Sequence, residues 1–272
     1  MKQSVNCYKI ISWNINSVRL RLPLLQKFVV KNQPDVICLQ ETKVVDELFP
    51  VDEIKNLGFD YIEFSGEKSY NGVAILSKIP FSNPQKIDIL GYSHKRHLSF
   101  DLEIAGQKIA LHNFYVPAGG DIPDVNLNDK FDHKLKFVDW MGDFFKSQKN
   151  QKIIMVGDMN IAPLEHDVWS HKQLLNVVSH TPIEVEKMNN LQKSLDWVDS
   201  HRLFVDESQK LYSWWSYRAR NALESDRGRR LDHIWTTPNL KNNICSTNIY
   251  KEFRAEERPS DHVPIETIFN FN

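Results

Sequence analysis

Short apolar runs that end in polar side chains are the feature that most limits how this chain can fold. They occupy residues 10–13, 36–39, 109–111, 153–156 and 231–235. Continuous apolar runs bounded by turn-forming residues are typical of strands covered on both faces. The pattern therefore predicts buried β-strands whose ends carry polar groups.

Apolar residues at helical spacing lie between these runs. One stripe consists of Leu22, Leu25 and Val29, and Pro34 follows it. Two further stripes consist of Leu135, Val138, Met141 and Phe145, and of Leu191, Leu195 and Val198. Strands mixed with helices predict an α/β fold.

Two segments predict hairpins and therefore mixed sheets. Residues 72–76 are apolar and run into a polar turn at residues 78–80. Residues 98–104 alternate apolar and polar side chains and then turn at Ala105 and Gly106. The sequence contains no convincing repeat, low-complexity segment or linker, so we expect a single domain over residues 1–272.

Composition limits where such a protein can act. The chain has 272 residues, of which 41% are hydrophobic and 25% charged, which suits a soluble globular protein with a large core. No apolar run approaches the roughly 18 residues of a membrane span, and residues 1–9 lack an apolar signal segment. We therefore expect a cytoplasmic protein without membrane contact. The net charge of −1 means that any DNA binding requires a local basic patch.

The cysteines exclude two kinds of site. Cys7, Cys38 and Cys245 are far apart and form no Cys-x-x-Cys pair. This argues against a disulfide framework and against a zinc knuckle. We expect buried or half-buried thiols.

Acidic residues stand at or near the ends of the strand-like runs. They are Glu41, Asp158, Asp232 and Asp261. Strand ends of a packed sheet can converge on one face, where several carboxylates would repel unless a metal ion offset them. Oxygen ligands without cysteine favour Mg²⁺ or Mn²⁺ over zinc. Any one of these acids alone is more often a turn former or helix cap, so the hypothesis depends on their joint occurrence.

Six motifs built around these residues resemble, in order, the motif set of the exonuclease III family of abasic-site endonucleases. They are Ser12-Trp13-Asn14-Ile15-Asn16, Leu39-Gln40-Glu41-Thr42-Lys43, Asn113-Phe114-Tyr115-Val116-Pro117, Gly157-Asp158-Met159-Asn160-Ile161-Ala162, Arg230-Leu231-Asp232 and Pro259-Ser260-Asp261-His262-Val263-Pro264. Together they span nearly the whole chain. One such block would be weak support, whereas six in order are specific.

The resemblance implies both a fold and an activity. The fold would be a four-layer α/β sandwich, in which two packed mixed β-sheets are flanked by helices and loops from both sheets form the site. The activity would be Mg²⁺-dependent hydrolysis of the DNA backbone 5′ to abasic sites, leaving a 3′-hydroxyl. It would be accompanied by 3′–5′ exonuclease and 3′-phosphatase or phosphodiesterase activity.

The resemblance also implies a metal site and a nucleophile site. Glu41 would bind the metal with help from Asn16 and Asp261, and Mn²⁺ could replace Mg²⁺. Asp158 would orient or deprotonate the attacking water. Asn160 would reach the same side of an extended segment and hold that water or a phosphate oxygen.

The remaining catalytic roles concern the phosphate. Asn14 would be a second neutral positioning group. His262 would hydrogen-bond a non-bridging oxygen, while Asp232 would accept its other ring proton and favour its charged form. Tyr115 would donate to the phosphate or to the leaving oxygen. The resemblance leaves open how the proton is shared between Asp158, Tyr115 and metal-bound water.

An aromatic and arginine-rich segment lies in the last third of the chain. Residues 211–218 include two tryptophans and two tyrosines, and residues 217–230 include five arginines against two acids. Arginine binds phosphate in a fork, and aromatic faces receive bases or an unstacked sugar. By itself the segment fits a core strand followed by a solvated loop equally well.

The family resemblance assigns this segment to the pocket for a flipped-out abasic sugar. Trp214 would be the main pocket residue, with Arg218 and Arg229 as DNA contacts, and Tyr70 would contact the backbone from another loop. The partner would be double-stranded DNA with abasic sites or with blocked or recessed 3′ ends, bound by a monomer.

Four further features of the resemblance concern this DNA surface. Residues 118–136 would cover the damaged site. Lys130 and Lys134 are candidate phosphate contacts there, although a solvated surface lysine is the simpler interpretation of each. Arg229 replaces an aromatic or apolar residue of some relatives, and residues 118–123 lack an obvious large wedge residue, which leaves the balance of endonuclease and exonuclease action open.

Three other functions must be weighed. A Ser-His-Asp hydrolase would use the adjacent Ser260, Asp261 and His262, but the sequence has no Gly-x-Ser-x-Gly elbow. A phosphoesterase acting on phosphoinositides or sphingomyelin would share the acidic motifs but should lack the arginine and tryptophan segment. A noncatalytic DNA-binding protein would not need the full set of acidic and polar motif residues.

Overall fold

The fold is described by a computed structural model that covers residues 7–218 and 222–271, so Arg220 of the basic segment lies outside it. In chain order the strands are β1 (Cys7–Asn14), β2 (Val36–Gln40), β3 (Tyr61–Ser65), β4 (Val73–Ser77), β5 (Phe81–Gln85), β6 (His97–Ile104), β7 (Gln107–Tyr115), β8 (Ile153–Asp158), β9 (Val198–Asp199), β10 (Trp214–Trp215), β11 (Gly228–Arg229), β12 (Asp232–Thr236), β13 (Ile244–Ile249) and β14 (Ile265–Asn270). The helices are α1 (Leu22–Asn32), α2 (Val51–Lys55), α3 (Asp129–Lys146), α4 (His171–Leu174), α5 (Pro182–Ser194) and α6 (Ala222–Ser225). Within these two ranges, no helix combines the length and the apolar character that a membrane crossing requires.

Two mixed sheets form the centre of the described part of the chain. The first has the order β13-β14-β1-β2-β4-β3, and the second has the order β5-β6-β7-β8-β12-β9. In the first sheet β1 and β2 are parallel, and in the second β7 and β8 are parallel. The other pairings within the two sheets are antiparallel. A separate short ladder pairs β10 with β11.

Alternating side chains of each strand give each sheet two apolar faces. Ile10 and Val36 of the first sheet share a buried core with Leu111 and Val156 of the second. On the outer face of the first sheet, side chains of β1 and β2 pack with α1. On the outer face of the second sheet, side chains of β8 pack with α3 and α5. The predicted four-layer α/β sandwich is therefore confirmed, because each sheet is covered on both faces.

The helix ends follow local sequence signals. Thr181 caps α5, where its hydroxyl and the Glu184 side chain satisfy each other's backbone N–H groups, and Pro182 occupies the first turn. The third predicted helical stripe extended too far. The backbone leaves the helical conformation at Leu195, and Val198 lies in β9.

The two predicted hairpins have different outcomes. Ala105 and Gly106 have φ angles of 51° and 72° and form a two-residue turn between β6 and β7, as expected for a hairpin. The hairpin predicted at residues 78–80 was wrong. There the chain crosses from the first sheet to the second, because Phe81 of β5 pairs with β6 and stacks on Phe100 at 4.0 Å between ring centroids.

The cysteine expectation holds for one residue. Cys38 is buried in the core between the sheets, whereas Cys7 and Cys245 are exposed. All three are free thiols.

Strand ends from both sheets meet at one edge of the sandwich. Asn14 and Gln40 are paired at the ends of β1 and β2. Tyr115 and Asp158 are paired at the ends of β7 and β8. The Gln40 amide donates to Asn113 Oδ1 at 2.7 Å and so links the two sheets. This edge therefore holds the polar residues of several motifs.

Buried histidines predict a loss of stability in mild acid. Burial lowers the pKa of His112, His201 and His233 to about 4 each. In the unfolded chain a histidine has a pKa of about 6.5, so between these values the unfolded state binds more protons and stability falls as the pH falls. Each of these histidines should contribute about 2 kcal/mol of the loss between pH 7 and pH 5. Urea unfolding at both pH values measures it, and equal midpoints would contradict the expectation.

Candidate active site

Asp158, His262 and Asp232 form a buried line of ionisable groups. Asp158 ends β8 and lies opposite Asp232, the first residue of β12. His262 Nδ1 lies 2.8 Å from Asp232 Oδ2, and its Nε2 lies 3.6 Å from Asp158 Oδ2. The Ser213 hydroxyl donates to Asp232 Oδ2 at 2.6 Å and fixes that carboxylate. The imidazole is therefore held between two acids.

Burial and the neighbouring charged groups together set the protonation states of His262 and Asp158. Burial alone would lower the pKa of His262, but Asp232 and Asp158 outweigh it and raise the pKa to about 10. Burial raises the pKa of Asp158 to about 7, although His262 acts in the opposite direction. At neutral pH His262 is thus a charged donor, while Asp158 can accept a proton near the working pH.

Glu41 lies one residue beyond β2 and is held by three donors. Its Oε1 accepts from Asn14 Nδ2 at 2.9 Å and from the Tyr115 hydroxyl at 2.7 Å. Its Oε2 lies 2.6 Å from Lys43 Nζ. Burial would raise the pKa of Glu41, but the Lys43 ammonium and these hydrogen bonds hold it below its usual value. Glu41 is therefore a carboxylate anion.

Asn14 connects the two groups of acids. Its fully buried amide Nδ2 lies 2.9 Å from Glu41 Oε1 and 2.9 Å from Asp158 Oδ2. One neutral donor thus sets the relative position of carboxylates from different sheets.

The other two predicted metal ligands, Asn16 and Asp261, are linked to Glu41 through Lys43. Lys43 Nζ donates to Asn16 Oδ1 at 2.7 Å, and Asn16 Nδ2 donates to Asp261 Oδ1 at 2.9 Å. Asp261 Oδ2 accepts from Trp214 Nε1 at 3.0 Å. The sequence motif contains Lys43, but the motif alone did not indicate that its ammonium would stand between Glu41 and Asn16.

Asn160 reaches Asp158 by a different route from the one predicted. Its φ of 53° is left-handed, so the segment after β8 turns and is not extended. The turn places the Asn160 N–H 2.9 Å from Asp158 Oδ1 and its Nδ2 3.1 Å from Asp158 Oδ2. The two residues are in contact, but the reason given from alternation along a strand was wrong.

Two groups of side chains are candidates to hold a metal ion. Among the described residues, Asp158, Asp232 and His262 offer ligand atoms within 4.8 Å of one another. His262 is nevertheless a poor ligand, because metals bind neutral imidazole and this ring carries a proton shared with acids. The oxygens of Glu41 and Asn16 already attract the Lys43 cation and, with Asp261, form the all-oxygen set that hard divalent ions prefer.

A cavity of about 700 Å³ opens beside these groups. Its lining includes Asn160, His262 and Asp261, together with Trp214 and Arg218. Its volume is in the range of small-molecule sites, and its lining mixes charged, polar and apolar residues. Its position next to the acids makes it the natural place for a substrate.

Arg229 forms part of the cavity wall and is fixed there. Its guanidinium lies 5.2 Å from the Trp214 ring centroid. Its Nη1 donates to the Val178 carbonyl at 3.0 Å and to Ser179 Oγ at 2.7 Å. The structure thus brings Trp214, Arg218 and Arg229 to one cavity, as the sequence predicted.

Tyr70 is half exposed and, unlike the DNA contacts predicted in the aromatic and arginine-rich segment, is not among the described residues that line this cavity. The buried Arg96 guanidinium lies 5.9 Å from the Tyr70 ring and 4.6 Å from the Tyr115 ring. Sequence reasoning missed Arg96, since it stands in no motif and reaches Tyr115 only through strand pairing.

The two lysines of the covering segment differ in burial. Lys130 is exposed, but Lys134 is completely buried and its ammonium donates to the Asn160 carbonyl at 2.7 Å. Neither interpretation of Lys134, as a phosphate contact or as a surface lysine, was right. The cause is that α3 turns this residue toward the protein interior.

The serine of a Ser-His-Asp hydrolase is not available in this structure. Ser260 Oγ is buried, donates to the Asn14 carbonyl at 2.7 Å and accepts from the His262 backbone N–H at 3.2 Å. The His262 ring faces Asp232 and Asp158 instead. Ser260 therefore shapes the loop and is not a nucleophile.

Comparison with known proteins identifies the group to which this geometry belongs. The model of the endonuclease/exonuclease/phosphatase family matches residues 11–262. The chain belongs to this family. An exodeoxyribonuclease III of Haemophilus influenzae is 32% identical over 271 residues, which cover 94% of this chain and 98% of the relative.

Solved structures of relatives have the same fold. An AP endonuclease from Archaeoglobus fulgidus superposes with a TM-score of 0.88 at 30% identity and covers 97% of this chain and 100% of its own. A 3′ phosphatase from Neisseria bound to product DNA hairpin gives a TM-score of 0.88 at 29% identity, with coverage of 97% and 100%. The enzyme class predicted from the sequence, a nuclease of the exodeoxyribonuclease III type, is confirmed by these relatives.

Proposed function

We propose that the protein is a Mg²⁺-dependent phosphodiesterase that cuts damaged DNA 5′ to abasic sites, leaves a 3′-hydroxyl and also processes 3′ ends. The observation that carries the proposal is the Asn14 amide, which joins the Glu41 carboxylate to Asp158 within one edge of the sandwich. The proposed metal ligand Glu41 lines the cavity, and the proposed proton acceptor Asp158 lies beside it, joined through Asn14. Relatives named for AP endonuclease, exodeoxyribonuclease and 3′ phosphatase action support the substrate class.

Glu41, Asn16 and Asp261 would hold the metal, with Mn²⁺ able to replace Mg²⁺. When bound, the ion offsets charge on the phosphoryl oxygens. The absence of sulfur and free imidazole ligands in this set favours Mg²⁺ over zinc. Lys43 must leave the Glu41 and Asn16 oxygens for the ion to bind there.

Asp158 would take the proton of the attacking water. A proton acceptor works best with a pKa near the working pH, and the pKa of Asp158 is raised to about 7. Asn14 and Asn160 donate to its oxygens and fix the direction in which it faces. They act as positioning groups for the water.

His262 and Tyr115 would face the phosphate. The protonated His262 ring would donate from Nε2 to a non-bridging oxygen, while Asp232 holds its Nδ1–H. Burial and Glu41 raise the pKa of Tyr115 well above its usual value, so its hydroxyl stays protonated. It would donate to the leaving 3′ oxygen.

The cavity wall would receive the damaged nucleotide. An unstacked sugar would lie against Trp214, with Arg218 and Arg229 beside its phosphates, and Tyr70 would contact the backbone beyond Tyr115. Flipping a nucleotide out of the duplex costs least where it has no base to form a pair, which favours abasic sites. Double-stranded DNA with abasic sites or with blocked or recessed 3′ ends is therefore the proposed partner.

We also propose the organisation of the protein in the cell. The two sheets share one core, which supports a single domain over residues 1–272. We propose that this domain acts as a monomer. The bacterial exodeoxyribonuclease relative supports a cytoplasmic location.

Metal removal tests the function directly. End-labelled duplexes with one abasic site, one recessed 3′ end or one 3′-phosphate are incubated with Mg²⁺ or with EDTA. We expect incision with Mg²⁺ and a loss of about 1000-fold or more with EDTA, since the ion supplies several kcal/mol of charge stabilisation. Added Mn²⁺ should restore cleavage.

Three results would contradict this function. Unchanged nicking in EDTA would exclude a metal-dependent reaction. Cleavage of a phosphoinositide or of sphingomyelin, with every DNA left intact, would favour the lipid phosphoesterase instead. Binding to DNA without turnover of any phosphodiester would favour the noncatalytic alternative.

A further inference from the structure

A buried ion pair lies directly behind the active-site cavity. Lys134 of α3 and Glu184 of the first turn of α5 pair with side chains that are 0% exposed. Each charge loses its hydration, so a buried pair is weak support for stability compared with apolar residues of the same volume. Burial lowers the pKa of Lys134, while Glu184 acts to raise it.

The ammonium group of Lys134 joins three segments. Besides Glu184, it donates to the Asn160 carbonyl at 2.7 Å and to the Ala118 carbonyl at 3.3 Å. Ala118 follows β7 and Asn160 follows β8, and both line the cavity. All three donors of the ammonium are used. One side chain thus fixes two active-site loops against α5.

The contact to Asn160 is the most consequential of the three. Asn160 has a left-handed φ of 53°, which is uncommon for a residue other than glycine. The same residue donates its N–H and its side-chain amide to Asp158. The bond from Lys134 to its carbonyl therefore helps to fix the peptide that orients Asp158.

Glu184 connects the ion pair to further residues that line the cavity. Its carboxylate accepts from the Ser179 N–H at 2.8 Å and from the Thr181 hydroxyl at 2.8 Å. Ser179 Oγ in turn accepts from Arg229. The pair thus contacts cavity-lining residues from three segments, namely Ala118, Asn160 and Ser179.

The loop that follows β7 is shaped around the lysine. Gly119 has a φ of 87°, and a Cβ added there would lie 2.8 Å from Lys134 Cδ. The backbone passes so close to the lysine stem that a larger residue would displace one of them. This close fit keeps the ammonium beneath the loop.

We propose that the Lys134–Glu184 ion pair positions the catalytic residues, by holding Asn160 and, through it, the Asp158 carboxylate in the orientation that the reaction requires. The inference rests on the proposed function, which assigns the proton-accepting role to Asp158 and a positioning role to Asn160. Lys134 and Glu184 act through the loops and do not touch the substrate.

The test removes both charges at once. The double variant Lys134→Met, Glu184→Gln leaves no unpaired buried charge, which avoids the main cause of misfolding. We expect kcat on the abasic duplex and on the 3′-phosphate end to fall about 100-fold, as for a small misplacement of catalytic groups. KM should stay close to that of the wild type.

A second ion pair between the same helices provides the matched control. Lys187 Nζ lies 2.6 Å from Asp139 Oδ2 at the surface and joins α5 to α3. The double variant Asp139→Asn, Lys187→Met should retain wild-type kcat. Both double variants are assayed well below their unfolding midpoints, since a merely structural role would lower the midpoint and leave kcat unchanged.

The outcomes separate the inference from the function. A folded Lys134→Met, Glu184→Gln variant with wild-type kcat, from a wild type that cuts DNA, overturns the inference alone. A wild type that cuts none of the DNAs overturns the proposed function and this inference with it. Should the double variant not fold, Glu184→Asp carries the test, because it keeps both charges but shortens the reach of the acid to Lys134; it too must lose kcat without a rise in KM.

Discussion

Asp158→Asn is expected to lower kcat on an abasic duplex by about 1000-fold while DNA affinity stays close to that of the wild type. The amide has nearly the shape of the carboxylate but cannot take a proton from water. The hydrogen bonds from Asn14 and Asn160 fix the side chain at position 158 in place. A small movement of this side chain would therefore not make up for the lost proton acceptor. Single-turnover cleavage and a separate binding titration measure the two quantities.

The control for this variant is a surface acid. Asp143 pairs with Lys146 on the exposed side of α3, and Asp143→Asn should cleave at the wild-type rate. A wild-type rate for Asp158→Asn would remove Asp158 from the mechanism. Loss of both affinity and rate would instead indicate that Asp158 binds substrate.

Asp232→Asn is expected to lower kcat by about 100-fold. The change removes the negative charge that faces His262 Nδ1 at 2.8 Å, so the ring loses both its orientation and its support for the charged form. His262→Asn should cost at least as much. Because the two residues act as one unit, the double variant should be no slower than His262→Asn alone.

Ser213→Ala should have a smaller effect of the same kind. The Ser213 hydroxyl donates to the same Asp232 oxygen, so its removal should lower kcat less than Asp232→Asn does. Losses that multiply in the Asp232 and His262 double variant would contradict a common role. Steady-state kinetics on the 3′-phosphate end distinguish these outcomes, since that substrate needs no base flipping.

The sequence was informative where function follows from residue type at a strand end. Tyr115 was assigned through the family resemblance, whereas Asp158 could be placed at the site because a buried apolar run precedes it and strand ends of a packed sheet can converge on one face. The same reasoning found Glu41 beyond β2. The pairing of the strands then brings these side chains together, so no further sequence signal was needed to place them.

Other features depend on contacts that a linear pattern does not contain. Lys134 looked like a surface residue because nothing in α3 indicates that Glu184, in another helix, faces it. Arg96 reaches Tyr115 only through the pairing of β6 with β7. The crossing between the sheets after β4 resembles a hairpin turn in sequence, because the apolar run of β4 is followed there by Lys78 and Pro80.

Lys43 gives the acidic edge its own counterion. Since its ammonium neutralises Glu41 and also bonds Asn16, the carboxylate does not depend on a divalent ion to offset its charge during folding. Chelation should therefore stop the reaction but leave the melting temperature nearly unchanged. The enzyme would behave as a stable scaffold whose inorganic component can be withdrawn and returned without refolding.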